Sequence, residues 1–498
     1  MSGKQLHEKK IVIFLNSLTE HERQRFVKFL ASPYFNENEN LIKAARWLIE
    51  KLKTEVPQNN HQHPETIIPD NNYFASEQLY NHLFSGNQSN NIYDPNSLNK
   101  ILSKLFQLAE QFAAIENLML DEIAVNNNIL SFYDQKHLPK FHENTFKKTE
   151  MLIANLQGNK PNYEEKNYQL RADFKQYEDK NFEGRTGNET LKNLNTAADL
   201  FFIKSKLILL CDMLQRAEIT NIELNYTFCA ELLAFLPQSN YLSDNASVNA
   251  WYLTLLLMRQ PSPENYLNLK NLLLQNPLLP AEELFTLFKQ LENMVLTVFT
   301  HHPQAMLEMF DLYKYQLEKG FFYTDNILPA ALFKNAVTVG IYLNELAWAA
   351  WFINAHAQFI HPQNQREETH QFNLAKLYFA QGQYNKVTDI LLQYEFQDFY
   401  TVLNARRMLL KAYYELNEFL LLDSGLNAYR VFLHRLKNLP ANRKANELQF
   451  INLLGRLSRV LPNDSQHTKD TVANEIAANP NALEHNWLTA KMNLLQIK

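Results

Sequence analysis

Apolar residues recur along this chain every three to four positions, with polar residues filling the gaps. That period belongs to amphipathic helices. In "LIKAARWLIEKL", Leu41, Ala44, Ala45, Leu48 and Leu52 fall on one stripe. In "DPNSLNKILSKLFQLAEQFAAI", Leu98, Ile101, Leu102, Leu105, Ala109 and Phe112 do the same. A long helix is predicted over 189–216, with Leu191, Leu194, Ala198, Phe201 and Ile208 in register. Near the end, "WLTAKMNLLQI" offers Trp487, Leu488, Met492 and Leu495 as a last apolar face. No segment alternates with period two between hairpin glycines, so strands are not expected.

Start and stop signals agree with the stripes. Thr19 and Glu22 make a capping box, in which each side chain satisfies an otherwise orphaned amide. Asp94–Pro95 and Ser262–Pro263 each set a cap before a proline at the first helical position, where its missing N–H costs nothing. Prolines 139, 161, 261, 277, 280, 303 and 362 fall between stripes. Residues 55–73 hold three prolines among polar neighbours and read as a linker or long loop. Glycine sharpens the helical reading. Ten in 498 is about 2%, against roughly 7% in average proteins, and tight hairpins and phosphate loops both consume glycine.

One internal pattern recurs. Aligned on Asn344, Gly382 and Asn417, three segments carry Ala336, Leu374 and Leu409 eight positions earlier, and Gly340, Tyr378 and Tyr413 four earlier. Two positions later stand Leu346, Tyr384 and Phe419, five later Ala349, Val387 and Leu422, and nine later Ile353, Leu391 and Leu426. Each segment is a helix, an αL-tolerant stop and a second helix. The spacings of 38 and 35 lie near the period of about 34 of tetratricopeptide repeats.

Residues 371–435 accordingly resemble a pair of tetratricopeptide repeats, best matched at Leu374, Ala375, Tyr378, Gly382, Tyr384, Leu409, Leu410, Tyr413 and Phe419. A weaker third unit covers 329–359. The chain departs from the family at Val387 and Leu422, where a small residue is usual, and at Phe399, where a proline is. In that family the first helix of each unit lines a concave groove. The resemblance implies a lining of Phe372, Lys376 and Phe379 from one unit and of Asn404, Arg407, Lys411 and Tyr414 from the next. Phe372 stands where the first lysine of the family's carboxylate clamp would be, so capture of a chain-terminal carboxylate is not implied. "SPYFN", "KLILLCDML" and "LLKAYYELNEF…AYRVFLHRLKNL…FINLLGRL" also resemble uncharacterised bacterial proteins of the Bacteroidetes type, which implies a helical fold along most of the chain.

Charge adds a second candidate. The net charge is −5 and the pI about 6.3, which gives no global pull toward nucleic acid or an anionic membrane. Between 404 and 459, however, ten basic residues face four acidic ones. Arg430, Arg435, Lys437, Arg443, Lys444, Arg456 and Arg459 form a basic surface suited to an anionic partner, most simply an acidic protein segment.

Catalytic motifs are missing. The sequence holds no G-x-x-x-x-G-K, no G-x-G-x-x-G after a strand and no G-x-S-x-G. His61, His63, His301, His302, His356, His361 and His370 lack metal-ligand spacing, so neither metal nor cofactor is expected. Cys211 and Cys229 sit in apolar runs and read as buried thiols. The five-residue run "IVIFL" is too short for a signal peptide, and no apolar stretch approaches the ~20 residues that span a bilayer.

The expectation is a cytoplasmic, all-α protein: an irregular α-solenoid of stacked antiparallel helix hairpins, tetratricopeptide-like, with capping helices at both ends. Its segments would be an N-terminal helical region (1–54), the linker (55–73), an irregular hairpin array (74–328), tetratricopeptide-like repeats (329–439) and basic and capping helices (440–498). The expected role is a non-enzymatic scaffold or adaptor that binds a protein or peptide. The alternatives are a nucleic-acid-binding solenoid that uses the 404–459 surface and an enzyme whose site is assembled from residues distant in sequence.

Overall fold

The capping box at Thr19 forms as expected. Its hydroxyl accepts from the Glu22 amide, and the Glu22 carboxylate accepts from the Thr19 amide at 2.7 Å. Asp94 caps its helix through the amides of Asn96 and Ser97, with Pro95 at the first helical position. The computed structural model describes residues 6–53, 76–84, 93–156, 163–181, 187–220, 225–275, 279–299, 303–323, 325–436, 439–461 and 464–497. The expected linker, 55–73, lies outside them, as do Pro161, Pro277, His61, His63, His301, His302 and Lys437.

The protein is all-α and divides into two units, residues 1–208 and 209–498. The first contains α1 (Lys10–Ser17), α2 (Glu20–Leu30), α3 (Glu39–Lys53), α4 (Ser76–Phe84), α5 (Pro95–Leu120), α6 (Glu122–Gln135), α7 (Pro139–Leu156) and α8 (Tyr163–Asn181). Helix α9 (Asn188–Thr220) runs across the boundary. Helices α1 to α5 share one core, in which Leu15, Phe26, Leu30, Leu48 and Leu105 are sealed from solvent. The stripes expected on α3 and α5 point into it; Ile101 packs at its edge. Helices α6, α7 and α8 close a smaller core around Ile123, Phe146, Ile153 and Leu170.

The α9 stripe is corrected. Leu191 is exposed and Leu194, Ala198, Phe201 and Ile208 are half-buried, whereas Ala197, Ile203, Leu207, Leu210 and Cys211 are buried. "LFFIKSKLILLCDML" is apolar nearly all round, so periodicity singles out no unique face. Both cysteines are buried free thiols.

The second unit continues with α10 (Cys229–Phe235), α11 (Tyr241–Asp244), α12 (Ala246–Arg259), α13 (Pro263–Gln275), α14 (Ala281–Val298) and α15 (Pro303–Lys319). Next come α16 (Ala330–Tyr342), α17 (Leu346–His356), α18 (Arg366–Ala380), α19 (Tyr384–Gln393), α20 (Phe399–Glu415) and α21 (Phe419–Arg435). The last three are α22 (Ala441–Leu457), α23 (Gln466–Ala477) and α24 (His485–Ile497). From α11 onward each helix packs on the next, and α16 on α18, α18 on α20 and α22 on α24 pack as well. One strand pairing was not expected: β1 (Leu328–Pro329) and β2 (Ile360–His361) run parallel and bracket the α16–α17 hairpin.

The three aligned turns share one geometry, which also ends α6 at His137 and α15 at Gly320. Asn344, Gly382 and Asn417 all take the left-handed conformation, with φ of 61°, 71° and 59°. In each, the amide of that residue bonds the carbonyl three residues back (Ile341, Phe379, Tyr414). The next amide bonds the carbonyl five back (Gly340, Tyr378, Tyr413). This is the Schellman stop, which satisfies carbonyls left orphaned by the ending helix.

The positions five and nine after the stop are buried in all three hairpins. Before the stop the expected position is buried in the first hairpin, at Ala336, whereas in the other two the seam lies one residue later. Val337, Ala375 and Leu410 are buried, while Leu374 and Leu409 are half-buried. Both neighbouring positions are apolar, so periodicity fixes the seam only to within one residue. Gly340 permits a close approach, since a Cβ there would meet the Trp348 ring at 3.0 Å.

Candidate interaction surface

Counting back from each stop brings functional side chains into rows across α16, α18 and α20. Ten, six and three positions before the stop stand Lys334, Thr338 and Ile341 on α16. The same places hold Phe372, Lys376 and Phe379 on α18, and Arg407, Lys411 and Tyr414 on α20. The six-before residue reaches back to the preceding hairpin. The Lys376 ammonium donates to the Thr338 hydroxyl, and the Lys411 ammonium sits 4.7 Å from the centre of the Phe379 ring.

On α20 this row is occupied by the chain's own C-terminal segment. Arg407 is buried and paired with Glu447, a fully buried carboxylate that also accepts from the Tyr429 hydroxyl at 2.8 Å. Asn404 accepts from the same guanidinium. Glu484, held at φ 60° just before α24, accepts from the Lys411 ammonium at 2.7 Å and lies 3.5 Å from Arg407 Nε. Trp487 packs edge-on to Tyr414 at 5.4 Å, and its indole donates to Glu415, which Lys491 also meets at 2.8 Å. Leu488 and Met492 then enter the core shared by α20 to α24, with Trp487 and Leu495 packed at its margin.

Electrostatics reflect this packing. Burial works against the charge of Arg407, but Glu447 and Glu484 outweigh it and raise its pKa. Burial also opposes the charge of Glu484, yet Lys411 and Arg407 pull its pKa below the usual range. Burial, with the Glu415 charge, pushes the Tyr414 phenol up to about 12.

Four of the seven residues expected to line an open groove, Asn404, Arg407, Lys411 and Tyr414, are therefore engaged within the chain. The other three behave differently. Phe372 is buried edge-on to Phe396 at 5.9 Å. Phe379 is half-buried against Tyr384, 5.2 Å away across the turn. Lys376 is half-buried, and burial plus the Lys334 charge lower its pKa to about 8.

The expected basic surface separates as well. Arg430, Arg456 and Arg459 line a groove of about 610 Å³ between α21, α22 and α23, together with Asp423, Asn452 and Glu475. Arg456 pairs with Glu475 at 2.8 Å and is 59% exposed; Arg459 lies 4.0 Å from Asp423 and is 79% exposed. Arg430 donates to Asn427 and Asn452. Arg435 is exposed at the end of α21 and Lys444 is half-buried in the first turn of α22. Arg443 turns inward, 3.7 Å from Glu447 and over the Tyr400 ring.

Sequence reasoning missed Glu447, Glu484, Lys334 and Thr338. Extending the repeat register to six and ten positions before Asn344 would have found the last two. Glu447 gives no local signal, because a carboxylate amid a polar stretch reads as surface. Among the described residues no group of three or more His, Cys, Asp or Glu could hold a metal ion, and no helix is long and apolar enough to cross a membrane. The chain matches no known protein family, no curated protein and no solved structure.

Proposed function

We propose that this protein is a non-enzymatic scaffold whose helix hairpins bind an acidic segment of a protein partner in the groove between α21, α22 and α23. In this reading residues 329–439 are tetratricopeptide-like repeats within an irregular α-solenoid. The three matching Schellman stops and the lateral packing of α16, α18 and α20 support it. The protein would work in the cytoplasm, where free thiols stay reduced.

The observation that carries the reading is the arginine groove. Arg456 and Arg459 are held at its edge by single carboxylates and remain largely open to solvent. Arginine presents a planar fork that suits carboxylates, and exposed pairs of this kind are worth only about 0.2–1 kcal/mol, so a partner's acid can compete for them. A labelled glutamate-rich peptide followed by fluorescence anisotropy tests this. Binding should fall at least tenfold in R456E/R459E. Equal binding by that variant, or preference for an oligonucleotide with a steep salt slope, would overturn it.

A further inference from the structure

Helices α21 and α22 run antiparallel along the arginine groove. Arg430 on α21 donates to Asn452 on α22 at 3.2 Å, and Asp423 on α21 lies 4.0 Å from Arg459 on α22. As α21 advances from 423 to 430, α22 therefore steps back from 459 to 452. Asp423, Asn427 and Arg430 form one helical stripe, and Asn452, Arg456 and Arg459 form the facing one. By this register Asn427 stands across from Gly455, and both line the groove. A Cβ at Gly455 would meet only the Leu426 side chain, at 3.6 Å. The middle of the floor is open because α22 carries no side chain there.

Of the three arginines in the groove, Arg456 meets Glu475 and Arg459 meets Asp423. Among the described residues Arg430 meets no acid. Its partners are two neutral amides, the side-chain oxygens of Asn427 and Asn452, each at 3.2 Å. A guanidinium can only donate, so both amide oxygens must face it and both amide NH2 groups must point away from it. Asn427 and Asn452 are exposed, and among the described residues neither NH2 group bonds an acceptor. Arg430 is thus a half-buried cation, held in one orientation across two helices and flanked by further donors. A carboxylate satisfies that arrangement through charge-assisted hydrogen bonds.

We infer that Arg430, flanked by Asn427 and Asn452, seats one carboxylate of the partner's acidic segment, and that Gly455 leaves room for that side chain to reach it. The inference rests on the scaffold reading and deepens it. Arg456 and Arg459 hold the segment at the edge of the groove, where Glu475 and Asp423 compete with it. Arg430 sets the position at which the segment must be acidic.

The glutamate-rich peptide is titrated into full-length protein, with thermal midpoints measured alongside. R430Q should weaken binding at least tenfold and keep a midpoint close to that of wild type, since it gives up bonds to exposed amides only. G455L, which fills the floor without changing any charge, should also weaken binding at least tenfold. G455A should bind as wild type does and raise the midpoint, because alanine favours the helix over glycine. Wild-type affinity in R430Q or in G455L overturns the seat. Loss confined to R456E/R459E overturns it too, and leaves the scaffold reading intact. No binding by wild type, or full binding by R456E/R459E, overturns that reading and the seat with it.

Discussion

The second and third hairpins, α18–α19 and α20–α21, are built to one plan and put to different uses. Both end their first helix with the same αL stop, and both carry a lysine six positions before it. In the third hairpin that lysine meets Glu484 and the neighbouring arginine is buried against Glu447. In the second it bonds the Thr338 hydroxyl, and burial with the Lys334 charge lowers its pKa. The difference lies in the elements downstream of each hairpin. The third hairpin is succeeded by α22 to α24, which supply both carboxylates and a tryptophan to close its face. These helices bury the apolar side of α20 and α21 and also neutralise the basic row on α20. The preceding row has cations without that cover.

The largest test strikes the closed face. E447A strands a buried guanidinium, and breaking a buried pair costs about 3–5 kcal/mol; urea unfolding should show a loss of that size. A loss below about 0.5 kcal/mol, ordinary for a surface change, would mean Arg407 belongs to an open groove after all. L488A should cost about 2–5 kcal/mol, because Leu488 lies wholly inside the core under α24.

E484Q should cost about 1.5–3 kcal/mol, the range for hydrogen bonds to a charged group, with a definite pH signature. The folded-state pKa of Glu484 is lowered, so its contribution is complete above the ordinary glutamate value. It fades as pH falls through the lowered one. Unfolding curves of wild type and E484Q should therefore converge in acid and separate toward neutrality.

The shared turn is tested by G382A, which places a side chain in the left-handed region at about 1–2 kcal/mol. G382N, matching the residue at the other two stops, should recover much of that loss. Smallest, and opposite in sign, is K376M. A lysine whose folded pKa is depressed makes stability rise with pH between about 8 and the ordinary lysine value. Wild type should show that rise in thermal midpoint. K376M should lack it and be slightly more stable at neutral pH.

Local features of the fold were legible. The capping box at Thr19, the stripes of α3 and α5 and the three stops at 344, 382 and 417 are set by side chains within a few residues of each other. The α9 face was not, because apolar residues surround that helix. The interior of the candidate site was least legible. Arg407 is 40 residues from Glu447 and 77 from Glu484, and a charge pattern cannot tell a solvated arginine from one neutralised that far along the chain. The same blindness made a single basic surface of residues that the structure divides between a groove, a buried network and exposed ends.

Amine labelling followed by peptide mass spectrometry tests the contrast between the two rows most directly. At pH 8, with a limiting acylating reagent and native protein, Lys376 should react at least tenfold faster than Lys411. L488A, which loosens the cover, should narrow the gap by exposing Lys411. Equal rates in wild type, or faster labelling of Lys411, would contradict the claim that the C-terminal segment covers one row and not the other.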